Sequence, residues 1–517
     1  MGHIHLSRRE VLDGIARLGA GSVLLPLRAL AGQQAELPAR GVLRGRVLDA
    51  ATGKPTSAKM AVSDGQSPYW PAGAVRTMPT HAPRRYFYVR GSYEVAVPAG
   101  VYEVEVVRGI CHETVRDDVV IEPGSTRVLD FRVPLLRDLA GERWFSGNTH
   151  THYNLDIEES PDERLRLVPP AEALDVSIIS YVTRNRMPYV TNRYPIGRLP
   201  DFSRDGTLVD MGQETRNDAG MRTTGYGHCM FVNIPRLVEP VSTGMLAREG
   251  NAPDFPTLSM LAAEARRLGG VTIWCHNGAG MEAPVAVALG AVDAFNMGDG
   301  ADPSYARYYQ LLESGFHLPA STGTDWWIYD HNRVFVQVDG AFSYDAWLAG
   351  LRAGRTFITN GPLLELRCNG AGPGATLEAA GPLRIEARAL SRVPFERLEL
   401  VANGEVVAEQ PAPRGREARI EHEIELRRSG WLAARVSGAT RTWAGYAVFA
   451  HTSPVYVTVP GTPARSARAA ASLIDDIEES VRFIRKRYRF ASDADRALSL
   501  GRFEEGRQKL ARIVAGA

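Results

Sequence analysis

The sequence predicts a multidomain protein in which an α/β domain, with a largely parallel sheet or barrel, lies between two β-sandwiches and precedes a helical tail. Three observations carry that expectation. At 517 residues the chain is too long for one hydrophobic core and suggests about three or four domains. With 44% hydrophobic and 23% charged residues it belongs with ordinary globular proteins, not with disordered or membrane-embedded ones. From about Leu139 short apolar runs alternate with helical periodicity, whereas the flanking stretches alternate apolar and polar residues between Gly and Pro.

Residues 1–32 read as a leader. Ser7-Arg8-Arg9-Glu10-Val11-Leu12 resembles a twin-arginine export signal, followed by an apolar run from Gly19 to Leu30 and a small-residue cleavage pattern, Ala29-Leu30-Ala31. The run is too short to span a bilayer comfortably, so no stable membrane span is expected. The twin-arginine translocase is the expected partner, and the periplasm or exterior the expected destination. That route carries folded protein. Cys111, Cys229, Cys275 and Cys368 are scattered without a Cys-x-x-Cys, which argues against a thiolate zinc site or a dense disulfide framework. Cys229 and Cys275 are expected to pack in the core. Lys+Arg 60 against Asp+Glu 59 leaves no basic excess for phosphate contacts, which disfavours nucleic-acid binding.

Residues 38–136 alternate as a small antiparallel sandwich, and Gly45-Arg-Val-Leu-Asp-Ala-Ala-Thr-Gly-Lys-Pro with Val97-Pro-Ala-Gly-Val-Tyr resembles the carboxypeptidase-regulatory-like modules. Residues 139–352 form the α/β domain. Its strand candidates begin at Val176, Leu208, His228, Val271 and Val292, with helices over 257–268 and 303–313. Residues 353–460 return to β texture as a second sandwich, with Asn403-Gly404 as a hairpin turn. Residues 463–517 are a helical hairpin whose stripe of Leu473, Ile474, Ile477, Val481 and Ile484 predicts packing against the rest of the chain.

The chemistry centres on Arg143 to Asn154, where His150 and His152 emerge on one side of an extended strand, free to grip one cation. Further strand candidates end in, or carry, residues able to bind metal: Glu214, His228, His276 and Asp325. Active sites of α/β barrels collect at strand carboxyl ends, so these positions are expected to converge. Four imidazoles and two carboxylates suit a borderline or hard divalent cation.

Gly147-Asn-Thr-His-Thr-His, Gly212-Gln-Glu, Gly227-His-Cys-Met-Phe-Val-Asn, Cys275-His-Asn-Gly, Gly323-Thr-Asp and Gly354-Arg-Thr-Phe-Ile-Thr-Asn-Gly-Pro occur in this order. Together they resemble the polymerase-and-histidinol-phosphatase (PHP) hydrolases, and within them the CehA/McbA type. The resemblance implies a distorted (β/α)7 barrel. It also implies His150, His152, Glu214 and Asp325 around one ion, and Glu214, His228 and His276 around a second, with Glu214 bridging. Where relatives carry further ligands this chain has Ser180-Tyr181-Val182 and Asp325-Trp326-Trp327, which predicts two ions (zinc, manganese or iron) and no third. Asp156, Glu158 or His331 are the residues that could substitute. Arg184 and Arg186 could place positive charge where the third ion is lost.

The expected activity is hydrolysis of an ester, carbamate, amide or phosphoester in a small molecule, with a metal-bound water as nucleophile. Tyr181, Trp326, Trp327 and Tyr329 are expected to wall the pocket and favour a partly apolar substrate. The alternative is a secreted binding or scaffold protein built on a degenerate barrel.

Overall fold

The computed structural model describes residues 39–77, 84–153, 160–185, 187–204, 206–218, 223, 225–245, 247, 252–325, 332–379, 381–442 and 445–516. The leader motif lies outside them.

Period-2 patterning gives each strand one apolar face, and from Arg40 to Val133 those faces meet. The strands are β1 (Arg40–Asp49), β2 (Ser57–Ser63), β3 (Pro68–Tyr69), β4 (Phe87–Arg90), β5 (Ser92–Pro98), β6 (Gly100–Val107), β7 (Val115–Ile121), β8 (Thr126–Val128) and β9 (Phe131–Val133). One sheet holds β1, β5, β8 and β9 and the other β2, β3, β4, β6 and β7. Leu43, Val95, Val97, Val104, Val106 and Phe131 are buried between them.

The next strands are β10 (Trp144–Asn148), β11 (Val176–Tyr181), β12 (Gly197–Arg198), β13 (Leu208–Asp218), β14 (Gly227–Val232), β15 (Ser242–Gly244), β16 (Val271–Trp274), β17 (Ala294–Asn296) and β18 (Ala320–Ser321). They continue as β19 (Arg333–Gln337), β20 (Thr356–Thr359), β21 (Leu363–Cys368), β22 (Thr376–Glu378), β23 (Leu383–Ala402), β24 (Glu405–Ile424), β25 (Gly430–Ser437), β26 (Ala450–Thr452) and β27 (Val455–Thr458). All of β10 to β27 join one curled sheet.

This sheet corrects the expected (β/α)7 barrel. β14 runs antiparallel to both β13 and β16, because the connection from Asp218 to Gly227 is too short for the helical crossover that a parallel neighbour needs. β10 pairs antiparallel with β19, which leads through β20, β26 and β25 into the C-terminal strands. Among the described residues no ladder joins β18 to β10. Among the described residues strand outweighs helix, 40% to 21%, so the architecture is mainly β. Within it, β10, β11 and β13 are parallel to one another, as are β16, β17 and β18. Since β14 is antiparallel to both β13 and β16, these two groups share one direction, and their carboxyl ends reach one rim together with the amino end of β14.

The helices are α1 (Pro161–Ala171), α2 (Leu258–Arg267), α3 (Ala283–Ala288), α4 (Ala306–Glu313), α5 (Tyr344–Arg352), α6 (Ala467–Arg487) and α7 (Asp493–Ala515). Leu473, Ile477 and Ile484 of α6 and Phe503 and Leu510 of α7 enter the same apolar core as Val285 of α3 and Leu311 of α4. The Ser492 side chain caps α7 by accepting from Asp495 N at 3.1 Å, which explains the break in the tail. At the other sheet end, Asn403 and Gly404 have φ of 48° and 86° and join β23 to β24, the backbone that a two-residue hairpin turn requires.

Candidate metal centre

Beyond β10 the chain continues as Thr149-His150-Thr151-His152. Thr149 turns away, bonding Asn296 and the Thr322 carbonyl, so alternation sends His150 and His152 together to the other side. The segment after β18 passes close against them. A Cβ on Gly323 would lie 2.5 Å from the backbone nitrogen of His150, and Asp325 N donates to the His150 carbonyl at 2.8 Å. On β13, Glu214, Arg216 and Asp218 share one face, and His228 on β14 is the cross-strand partner of Arg216. His276 follows β16, and Asp299 follows β17.

The six residues singled out in the sequence lie together, and Glu214 divides them. Its Oε2 is 3.1 Å from His152 Nε2 and 3.8 Å from His150 Nε2. Its Oε1 is 2.9 Å from His228 Nδ1 and 3.7 Å from His276 Nε2. Asp325 Oδ1 completes the first group, 3.5 Å from His150 Nε2 and 3.6 Å from His152 Nε2. In the second group the His276 Nε2 to His228 Nδ1 distance is 2.8 Å. His276 and Asp325 have φ of 56° and 45°, left-handed values that cost non-glycine residues about 1–2 kcal/mol and concentrate at functional sites.

Each ring presents one nitrogen inward and has an acceptor beside the other. Asp299 Oδ2 lies 3.1 Å from His150 Nδ1, the Ser180 carbonyl 3.3 Å from His152 Nδ1, Asp218 Oδ1 3.1 Å from His228 Nε2, and the Asp299 carbonyl 3.4 Å from His276 Nδ1. Protonating the outer nitrogens of His150, His152 and His276 leaves their inner nitrogens with a lone pair, the arrangement of metal-ligating histidines, while His228 Nε2 lies 3.1 Å from both Asp218 Oδ1 and the donor Arg216 Nη2. The donor set therefore fits divalent ions: His150, His152, Asp325 and Glu214 for one, and Glu214, His228 and His276 for another.

The electrostatics agree with that fit. Glu214, Asp218 and Asp325 act on the buried guanidinium of Arg216, whose Nε is 2.9 Å from Asp218 Oδ2 and whose Nη1 is 3.5 Å from Glu214 Oε2. Burial opposes charge on His150, but the negative field, Asp325 foremost, holds its pKa well above the usual imidazole range. For His276 burial is likewise outweighed, by Asp299 and Glu214, and its pKa rises to about 9. Burial would raise Glu214, yet Arg216 and His228 hold it well below the usual carboxyl range. Asp218, despite burial, is brought down to about 2 by His228 and Arg216. A field that attracts protons onto imidazoles attracts metal cations in competition with them.

Asp218, Asp299, Arg216 and Tyr189 were not singled out from the sequence. Asp299 follows the Val292 to Asn296 run, the signal that identified Asp325, and Asp218 continues the β13 alternation past Glu214. Cys275 is buried as expected, but it also lies in a group with His150 and Asp299. Burial raises its thiol to about 12, so it stays protonated at neutral pH.

Tyr181 corrects the expected pocket wall, because its ring packs against the layer of Leu165, Tyr194 and Leu199. Tyr189 stands beside the site instead, its ring centroid 5.7 Å from that of His152. Burial raises its hydroxyl pKa, and the charges of Arg216 and Arg184 oppose that rise, which places Arg184 on this side of the site. Arg186, Asp156, Glu158, Trp326, Trp327, Tyr329 and His331 lie outside the described residues.

No family model matches the sequence, and no curated protein matches it. Among solved structures, the chain is similar to GBS52, the minor pilin of Streptococcus agalactiae, at 15% identity over 20% of this chain and 47% of that one, with a TM-score of 0.16. It is also similar to the Bacillus anthracis TIE protein, at 7% identity over 81% of this chain and 50% of that one, with a TM-score of 0.15. The chain thus spans half or less of the length of these two structures. Likeness at this level carries no argument about fold or function.

Proposed function

We propose that the protein is an exported, metal-dependent hydrolase with the chemistry of the CehA/McbA-type PHP enzymes, acting on an ester, carbamate, amide or phosphoester of a partly apolar small molecule. The observation that carries this reading is the division of Glu214, one carboxylate oxygen toward His150 and His152 and the other toward His228 and His276. When bound, a pair of divalent ions (zinc, manganese or iron) supplies Lewis acidity and an activated water at neutral pH, worth several kcal/mol in such reactions. The chain's own part is to fix that chemistry in place. Asp218 and Asp299 hold the rings of His228 and His150, and Arg216 fixes Asp218 and Glu214 in turn. The His276 side chain is 22% exposed while His150 and His152 are buried, so substrate enters from the His276 side. Arg184 and Tyr189 border the opposite flank, where a positive charge and a phenol can orient a carbonyl or an anionic substituent.

Elemental analysis with anomalous diffraction tests the assignment. Two metal peaks flanking Glu214 are expected, and either a third full peak within a few ångströms or no uptake from zinc, manganese or iron would overturn it. Chelation should abolish turnover of a nitrophenyl ester, carbamate and phosphate panel, and metal should restore it. A fully loaded protein inert on the whole panel would sink the hydrolase reading. Export is tested by exchanging Arg8 and Arg9 for Lys, which should strand the protein in the cytoplasm; unchanged delivery would count against that route.

A further inference from the structure

A second cavity, of about 530 Å³, opens at the other end of β13, between the β12–β13 pair and the start of α5. That volume lies in the range of small-molecule sites. Arg198, Arg204, Leu208, Asp210, Phe342 and Tyr344 line it. Asp210 shares a strand face with Glu214 but stands four residues earlier, roughly 13 Å along an extended chain. None of these residues is among those of the metal centre.

Asp210 is only 2% exposed, and its two oxygens are treated differently. Oδ2 accepts from Tyr344 OH at 2.7 Å and from Asn233 N at 3.0 Å. Oδ1 is buried without a hydrogen-bond partner, a costly state for a carboxyl oxygen. The natural local partner is Arg198, which faces Asp210 across the antiparallel ladder. Arg198 does not take that role. Its guanidinium lies 5.2 Å from the centroid of the Tyr344 ring and bonds the exposed carboxylate of Asp345. The exposed Arg204 adds a second cation at the rim. The wall between is apolar, and Phe342 is braced by stacking on Phe145 at 4.2 Å. The cavity thus has a buried carboxyl in its wall, two guanidiniums at its rim and aromatic surface between them.

We propose that this cavity binds a small zwitterion with an apolar body, the class of α-amino acids with an aromatic or aliphatic side chain. The ammonium meets Asp210 Oδ1, the carboxylate meets Arg198 and Arg204, and the side chain lies against Phe342, Tyr344 and Leu208. Burial raises the Asp210 carboxyl against the hydrogen bonds from Tyr344 and Asn233 and the charge of Arg198, and a ligand ammonium would add to that favourable charge. The site is separate from the proposed hydrolytic centre and does not depend on that reading.

The test is calorimetric and thermal-shift titration of the full-length protein with L-phenylalanine, L-leucine, phenylacetate and phenethylamine. The amino acids should bind and raise Tm with concentration, and the acid and the amine alone should bind at least tenfold more weakly. Asp210→Asn and Arg198→Gln should each weaken L-phenylalanine at least tenfold, and Arg198 is exposed, so that variant stays informative if the first fails to fold. Glu214→Gln should leave this affinity unchanged, whatever it does to metal content or hydrolysis. No binding of either amino acid at millimolar concentration would overturn the proposal. So would equal binding of the acid or the amine, or an affinity that neither variant moves, which would put the binding elsewhere on the protein.

Discussion

Glu214 is the residue on which the centre turns, because its two oxygens serve different histidine pairs. Amidation keeps the shape, removes the charge and replaces one acceptor with a donor aimed at imidazole nitrogens or metal. Glu214→Gln should therefore deplete both ions and lower turnover by at least about 10²–10³-fold, the scale of losing a key electrostatic group. Full metal content and full activity would show the bridging assignment to be wrong. The pH dependence follows from His276. Its folded pKa is raised to about 9 from a usual value near 6.5, so the protonated ring stabilises the metal-free protein fully below pH 6.5 and that contribution is lost as pH rises through 9. The metal-free Tm should fall across this window. Apparent metal affinity should climb over the same interval, as the ligand nitrogen loses its competing proton. A flat metal-free profile between pH 6.5 and 9 would remove the field argument.

At the scale of elements, the centre depends on how closely the segment after β18 lies on the end of β10. Gly323 is what allows it, since a methyl there would sit 2.5 Å from His150 N. Gly323→Ala should separate Asp325 from His150 and His152 and weaken metal binding by about 10–100-fold, the scale of disturbing the groups that hold ligands in place, measured by chelator competition. Unchanged affinity would mean that Asp325 is not positioned by this contact. Why the six candidate ligands stood out in the sequence is plain at this scale: each follows or sits in a short apolar run, and period 2 fixes the face of His150, His152 and Glu214. The Asn403-Gly404 turn was readable for a similar reason, because left-handed backbone at both central positions selects those residue types. The reversal of β14 was not readable. An apolar run such as Cys229 to Val232 suits a buried parallel strand and a buried antiparallel one equally, and the partner decides. Asp218 and Asp299 escaped notice because a supporting carboxylate has the same side chain as a solvated one. Tyr181 pointed away for want of any local signal, its ring following the face that Leu165 and Tyr194 made apolar.

At the scale of the molecule, residues Arg40–Ala517 form one compact unit, although the sequence suggested separable domains. A buried ionic knot ties the first sandwich to the sheet that carries the site. Glu172, just past α1, is fully buried, and its Oε1 lies 2.8 Å from Lys59 Nζ on β2 and 3.0 Å from Tyr88 OH on β4. Arg333 on β19 donates to the Glu172 carbonyl at 2.7 Å and stands 3.8 Å from Oε2. Burying charges is unfavourable in itself, so the knot contributes mainly by what its loss would leave behind. Glu172→Gln removes the carboxylate charge that faces Lys59 and Arg333 in a dry interface and should cost about 3–5 kcal/mol, the range for breaking one side of a buried pair. Because the same residues join both parts, the loss should lower one common unfolding transition instead of releasing the sandwich alone. Adding Lys59→Met to Glu172→Gln removes the buried cation whose counter-charge was lost and should recover part of the stability. Urea unfolding followed by tryptophan fluorescence and circular dichroism would decide it: coincident curves shifted together support the weld. A loss under about 1 kcal/mol, or a sandwich that unfolds separately in the unmutated protein, would show that the two parts are merely adjacent.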